Sequence, residues 1–173
     1  GAYSHQACHK ARPQMEVLPC HTFQDAIAAV LDGKADLAML PIENSTYGRV
    51  ADIHQILPES GLYIVDEAFV RVHINLMAPH GAELDKIHTA TSHTVLLGQC
   101  RDFLAKHGIR PVTGADTAGS ARLIAGQGDK SAAALASELA AEIYDLDILG
   151  RHIEDHNNNT TRFLIMAREI DVT

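Results

Sequence analysis

Apolar residues recur along this chain with two periods, one near 3.6 and one that reads as short continuous runs. Residues 4–11 read as a helix with Ser4 at its N-cap. Thr22 reads as the next N-cap, followed by Phe23, Ala26, Ile27, Val30 and Leu31 at helical spacing, and Asp32-Gly33 ends that helix. Leu37 to Ile42 is a short apolar strand, and Val50 to Leu57 a helix that stops at Pro58. Leu62 to Ala78 is mostly extended, and Ile87 to Thr91 is another strand. Leu96, Leu97, Cys100, Phe103 and Leu104 form one helical stripe. Asp116 or Thr117 caps a helix through Ile124 that ends at Gly126 and Gly128. Ala132 to Ala136 is strand-like, Leu139 to Tyr144 helical, and Phe163 to Ala167 a final strand.

This alternation predicts an α/β fold. Two extended segments, around 69–77 and around 160–167, stand far apart in sequence. If both cross between two lobes, the chain leaves lobe one, builds lobe two and returns. The cleft between such lobes is a natural small-molecule site.

Composition narrows the function class. The 173 residues carry 14 Lys and Arg against 22 Asp and Glu, a formal charge of −8, with no basic run. Nucleic acid is therefore an unexpected partner. No stretch approaches the roughly 20 apolar residues that span a bilayer, and no secretory signal is expected at the start. Cys8, Cys20 and Cys100 lack C-x-x-C spacing and read as reduced thiols of a cytosolic protein.

Three polar clusters could carry chemistry. Glu43, Asn44, Ser45 and Thr46 follow an apolar strand inside Pro41 to Gly48, at the carboxyl end where ligands bind in open α/β sheets. The competing reading is a loop that caps the next helix. Ser92 also falls at a strand's carboxyl end, with Gln99 about two helical turns further on. The simpler alternative has Ser92 or Thr94 capping that helix and Gln99 solvated. In the third cluster, Asn157-Asn-Asn-Thr-Thr-Arg-Phe163, Arg162 beside a buried strand needs a partner. A ligand carboxylate would serve, and so would Glu154 or Asp155. His5 and His9 have i, i+4 spacing with Cys8 between them, but no third ligand is identifiable, so no metal is expected. Cys100 lies on the apolar stripe and reads as core rather than nucleophile.

Together these clusters resemble the catalytic domain of the prephenate dehydratases. The matching pieces are Gly1-Ala-Tyr-Ser-His5, Pro41-Ile-Glu-Asn-Ser-Thr-Tyr-Gly48, Ser92-His93 with Gln99-Cys100, Asp116-Thr117-Ala-Gly-Ser-Ala121, Ala132 to Ala140, and Thr161-Arg-Phe163. They occur in family order over nearly the whole chain. The resemblance implies decarboxylating dehydration of prephenate to phenylpyruvate in phenylalanine biosynthesis, without cofactor or metal. It also implies a two-lobed fold like that of periplasmic binding proteins, with lobe one at about 1–72 plus 162–173 and lobe two at about 73–161. A cytoplasmic homodimer is implied as well.

Carried over by motif, Thr161 is the central catalytic residue, with Asn44, Ser92 and Gln99 beside it. Arg162, Phe163, Glu43, Ser45, Thr46, Tyr3 and Ser4 would contact substrate. Thr94-Val95 stands where the family usually has Pro-Gln. The resemblance also places a strand ahead of Gly1 and, in many members, a phenylalanine-sensing ACT domain after the catalytic one, so this chain is expected to lack both. Two other readings are an arogenate dehydratase and a non-catalytic binder of small anions or amino acids on the same fold.

The implied reaction sets physical demands. Prephenate is a dianion, and losing hydroxide and carbon dioxide leaves an aromatic ring, which supplies the driving force. A net charge of −8 does not attract a dianion, so Arg162 and helix N-termini are the expected sources of local positive potential. A Thr hydroxyl is a very weak acid, so Thr161 is expected to stabilise the departing oxygen by hydrogen bonding. Glu43 could act as a true acid if burial raised its pKa.

Overall fold

The computed structural model describes residues 2–45, 48–156 and 159–170. The chain opens with α1 (Ala2–Ala11), which starts ahead of Ser4 and so takes that residue into its first turn. In α2 (Phe23–Leu31) the Thr22 hydroxyl accepts from the Asp25 N–H at 3.0 Å, satisfying one orphan donor of the helix start. Gly33 (φ +81°) then reverses the chain in the left-handed region. Next come β1 (Leu37–Asn44), β2 (Gly48–Arg49), α3 (Ala51–Ile56) and β3 (Tyr63–Arg71). A 3-10 turn at Leu57–Glu59 carries the chain through Pro58, the expected stop of the third helix.

The middle of the chain builds β4 (Asn75–Ala78), β5 (Thr89–Ser92), α4 (Thr94–Gln99), α5 (Arg101–Lys106) and β6 (Arg110–Thr113). Then follow α6 (Thr117–Gln127), β7 (Ala132–Ala136), α7 (Glu138–Tyr144) and β8 (Asp147–Gly150), before the chain returns as β9 (Thr160–Ala167). The stripe read as one helix over 96–104 is two helices. They break at Cys100 (φ −119°, ψ 25°). The break has a cause: Asp155 N–H donates to the Gln99 carbonyl at 2.7 Å, and Asp102 N–H donates to Asp155 Oδ1 at 3.1 Å. An outside segment thus inserts into the helical ladder.

The chain forms two compact units, one of Tyr3–Arg71 with Asn158–Thr173 and one of Gly1–Ala2 with Val72–Asn157. The first unit has a wholly antiparallel sheet in the order β2-β1-β9-β3. Its two faces are packed differently. Ala38, Leu40, Leu164 and Met166 point to one face, against Ile27 and Val30 of α2 and Ile53 of α3. Phe163 and Val70 point to the other, against Ala7 of α1. Burying each such large side chain contributes roughly 1.5–3 kcal/mol.

The second unit has the order β6-β5-β7-β4-β8, with β5 parallel to β6 and β7, and β4 antiparallel to β7 and β8. Every residue of β7, Ala-Ala-Ala-Leu-Ala, is buried. Its small side chains pack with Ala121 and Ile124 of α6 and Ala140 and Ala141 of α7 in one cluster. This α/β arrangement of two sheets joined by an outgoing and a returning segment matches the expected class. Thr161 and Asn44 fall in the same unit. Among the described residues, no helix is long and apolar enough to cross a membrane.

Candidate active site

The first unit's site is built by register. In the β1–β9 ladder Asn44 stands opposite Thr161 and Glu43 opposite Arg162. Opposed residues project to the same face, so Asn44 and Thr161 side chains meet. The Asn44 amide donates to Thr161 Oγ1 at 3.0 Å, across 117 residues of sequence. A hydroxyl has one proton and two acceptor positions. With the oxygen already accepting from Asn44, the Thr161 proton is directed elsewhere, which suits a group that must donate.

Arg162 has a different place from the one expected. Adjacent residues of a strand face opposite sides. Arg162 therefore projects away from the Thr161 face, and its partners confirm this. Its guanidinium donates to Glu67 Oε2 at 2.9 Å and to Glu43 Oε1 at 3.3 Å. Donation first to Glu67 and then to Glu43 holds the guanidinium above its ordinary pKa. The pair of carboxylates more than cancels its charge. Neither Glu154 nor Asp155 is its partner. Glu154 accepts from the Ile74 N–H, and Asp155 braces the α4–α5 break. Glu43 is 49% exposed and ion-paired, so the burial on which an acid role depended is absent.

Phe163 shares the Thr161 face but is 1% exposed, sealed under α1 with Ala7 and Val70. It is core, not a surface for substrate. Ser45 is exposed at the end of β1, where its hydroxyl accepts from Thr160 N–H at 2.8 Å and its own N–H donates to the Thr160 carbonyl at 2.9 Å. Thr46 lies outside the described residues.

Tyr3 and Ser4 sit in the first turn of α1. Three contacts give that helix its direction. Arg12, just past its end, pairs with Asp66 at 3.1 Å, Lys10 donates to the Phe69 carbonyl at 3.2 Å, and Ala7 packs on Val70 and Phe163. Moving back along α1 thus follows β9 from Ile165 toward Thr161. Ala7 thus places α1 over the face of the sheet that carries Thr161, and a helix N-terminus is a source of positive potential.

His5 and His9 stack, with ring centroids 5.0 Å apart and planes 9° apart. Burial, and then His9, holds His5 below its ordinary pKa. Among the described residues no cluster of His, Cys, Asp or Glu is arranged to hold a metal ion.

In the second unit, Ser92 ends β5 and is fully buried, and its hydroxyl donates to the Leu135 carbonyl at 2.8 Å. Neither Ser92 nor Thr94 caps α4. That cap is His93, whose Nδ1 accepts from Val95 N–H at 3.2 Å. Gln99 is half-buried rather than solvated, and its Oε1 is buried without a hydrogen-bond partner among the described residues. An orphaned buried acceptor is rare in a folded protein and marks a place where a donor belongs. Cys100 is fully buried, and burial, with Asp155 and Glu154 adding to it, pushes its thiol up, away from nucleophile duty.

Sequence reasoning missed two residues. Glu67 was invisible as the main Arg162 partner because it lies on β3, whose pairing with β9 no local pattern announces. Gln6 of α1, whose Oε1 is also buried without a partner among the described residues, carries no motif that singles it out.

Comparison with known proteins gives a consistent answer. The family model described as prephenate dehydratase matches residues 1–171. A bifunctional N-acyl-homoserine lactone acylase/prephenate dehydratase of Komagataeibacter europaeus is 49% identical over 97% of this chain and 60% of its own length. An arogenate dehydratase/prephenate dehydratase of Arabidopsis thaliana is 42% identical over 98% of this chain and 44% of its own. The chain thus spans about half the length of such relatives. The crystal structure of a prephenate dehydratase from Arthrobacter aurescens, in complex with L-Phe, is 30% identical with a TM-score of 0.86, covering 98% of this chain and 58% of that one.

Proposed function

The chain belongs to the prephenate dehydratase family, and from that premise we propose that it converts prephenate to phenylpyruvate, water and carbon dioxide. The observation that carries the reading is the 3.0 Å hydrogen bond from Asn44 to Thr161 Oγ1, which joins two motifs distant in sequence.

In the proposed reaction the ring's C–O bond breaks as the bond to the ring carboxylate breaks. The electron pair of that carbon–carbon bond completes the aromatic ring, carbon dioxide leaves, and the oxygen departs as hydroxide that collects a proton to become water. Thr161 donates a hydrogen bond to that oxygen as charge develops on it. Asn44 holds the hydroxyl so that its proton points at the leaving group. Such positioned donation contributes roughly 10²–10⁴-fold in rate. Aromatisation drives the step, so no cofactor or metal is assigned.

Of the two sources of positive potential expected for a dianion, Arg162 is compensated by Glu43 and Glu67 on the opposite face. The first turn of α1, with Tyr3 and Ser4, is the source that remains on the Thr161 face. Ser92 and Gln99 are assigned as further active-site residues on motif grounds, and the orphaned Oε1 of Gln99 supports a donor on the ligand. We assign the protein to the cytoplasm, in keeping with its free cysteines, and to a homodimer, on the resemblance.

Ultraviolet assay of phenylpyruvate formed from prephenate, with chelator present, tests the reading. Turnover that Thr161→Ala abolishes is expected. Turnover of arogenate alone would move the assignment to arogenate dehydratase, and prephenate binding without turnover would leave a binding module.

A further inference from the structure

We propose that Ser45 is a positioning residue for Thr161, and not a substrate contact. The inference rests on the dehydratase reading and assigns one part of its machinery.

The β1–β9 ladder pairs Asn44 with Thr161, and the next pair outward is Ser45 with Thr160. In a regular antiparallel hydrogen-bonded pair, each residue gives its N–H to the other's carbonyl. Half of that exchange is present, because Ser45 N–H donates to the Thr160 carbonyl at 2.9 Å. The return bond is different. Thr160 N–H donates at 2.8 Å to the Ser45 hydroxyl, in place of the Ser45 carbonyl. β1 has ended at Asn44, and Ser45 has already entered a turn. The side chain thus completes a ladder pair that the backbone has abandoned.

The consequence falls on the neighbouring pair. Thr160 is the first residue of β9, where strands fray most readily, and Thr161 is the second. Two bonds from Ser45 clamp Thr160 and fix the register in which Asn44 reaches Thr161 Oγ1. On the other side of Thr161, Arg162 is tied to Glu43 of β1 and Glu67 of β3. The catalytic hydroxyl is therefore held from both flanks by contacts that do not involve it. A short hydroxyl is needed at position 45: alanine offers no acceptor, while threonine retains one.

The test compares Ser45→Ala and Ser45→Thr with the unaltered chain by steady-state kinetics on prephenate, thermal unfolding, and amide hydrogen exchange at Thr160. The expected result is that Ser45→Ala lowers kcat about tenfold with KM nearly unchanged and speeds exchange at Thr160. Ser45→Thr should restore both. A raised KM with unchanged kcat would make Ser45 a substrate contact and overturn the proposal. A lowered Tm with unchanged kcat at 25 °C would make it merely structural and overturn it equally. If the unaltered chain does not turn over prephenate, the dehydratase reading fails. The exchange measurement still decides the clamp, since unchanged protection of Thr160 in Ser45→Ala refutes it.

Discussion

The two units each end an apolar strand with a polar residue of the family motifs, yet the two ends are built differently. At the β1–β9 end, Thr161 is half-buried and its oxygen accepts from the Asn44 side chain. At the β5 end, Ser92 is fully buried and its proton is spent on the Leu135 carbonyl of β7. In the proposed reaction the first hydroxyl donates to the substrate. The other ties two parallel strands together, and any ligand must use its remaining acceptor capacity. A polar residue after an apolar strand is thus a location, and the hydrogen bonds around it decide its chemistry.

The contrast can be broken most sharply at Thr161. Thr161→Ala should lower kcat by about 10²–10⁴-fold with little change in KM, while the unfolding temperature stays near that of the unaltered chain. A small, equal change in both kinetic constants would remove Thr161 from its role. Asn44→Ala, which frees the hydroxyl to rotate, should cost roughly tenfold in kcat.

Ser92→Ala should differ by costing stability as well. It leaves the buried Leu135 carbonyl without that donor, at a cost of about 1–3 kcal/mol. Thermal unfolding should show this as a fall of several degrees. A Ser92→Ala protein of unaltered Tm would contradict the structural half of its role.

Smaller still is the effect of Glu67→Gln. The Arg162 cluster is partly exposed and solvent screens it, so kcat and Tm should hardly move. A large loss of kcat would show that the Arg162 cluster contributes to activity beyond a screened surface pair.

The smallest effect concerns a surface cluster of the second unit, where His80 bridges Asp145 at 2.9 Å and Asp147 at 2.6 Å. Hydrogen bonds to Asp145 and then Asp147 raise His80 above its ordinary 6.5, and His80 in turn holds Asp147 below its ordinary 3.8. The histidine's contribution to stability is complete below about pH 6.5 and fades as pH rises through its raised value; the aspartate's fades as pH falls below about 3.8. Unfolding of His80→Asn followed against pH should therefore show its largest deficit between about pH 4 and 6.5. A deficit that grows toward pH 9 would contradict this sign.

Much of this was legible in the chain. Thr22 and Asp116 are local caps, and each marks its helix in the structure. The apolar runs of β1, β7 and β9 were visible for the same reason, since strong local patterns survive tertiary context. The short β2, β6 and β8 were not, because they owe their extended form to neighbours in the sheet. Arg162 shows the same limit at the site. Its need for a carboxylate was clear from sequence, but Glu43 and Glu67 are its partners only because β9 lies between β1 and β3. Strand order cannot be read from one strand. The facing of Thr161 and Arg162 to opposite sides, by contrast, follows from the period of two and needed only the knowledge that both lie within β9.

In the proposed mechanism Asn44 acts through the Thr161 hydroxyl. The most direct measurement is kcat on prephenate for Asn44→Ala, Thr161→Ala and the double variant. If Asn44 serves to aim that hydroxyl, the double variant will be no slower than Thr161→Ala alone, because nothing is left to aim. Losses that multiply in the double variant would show two independent roles and contradict the account.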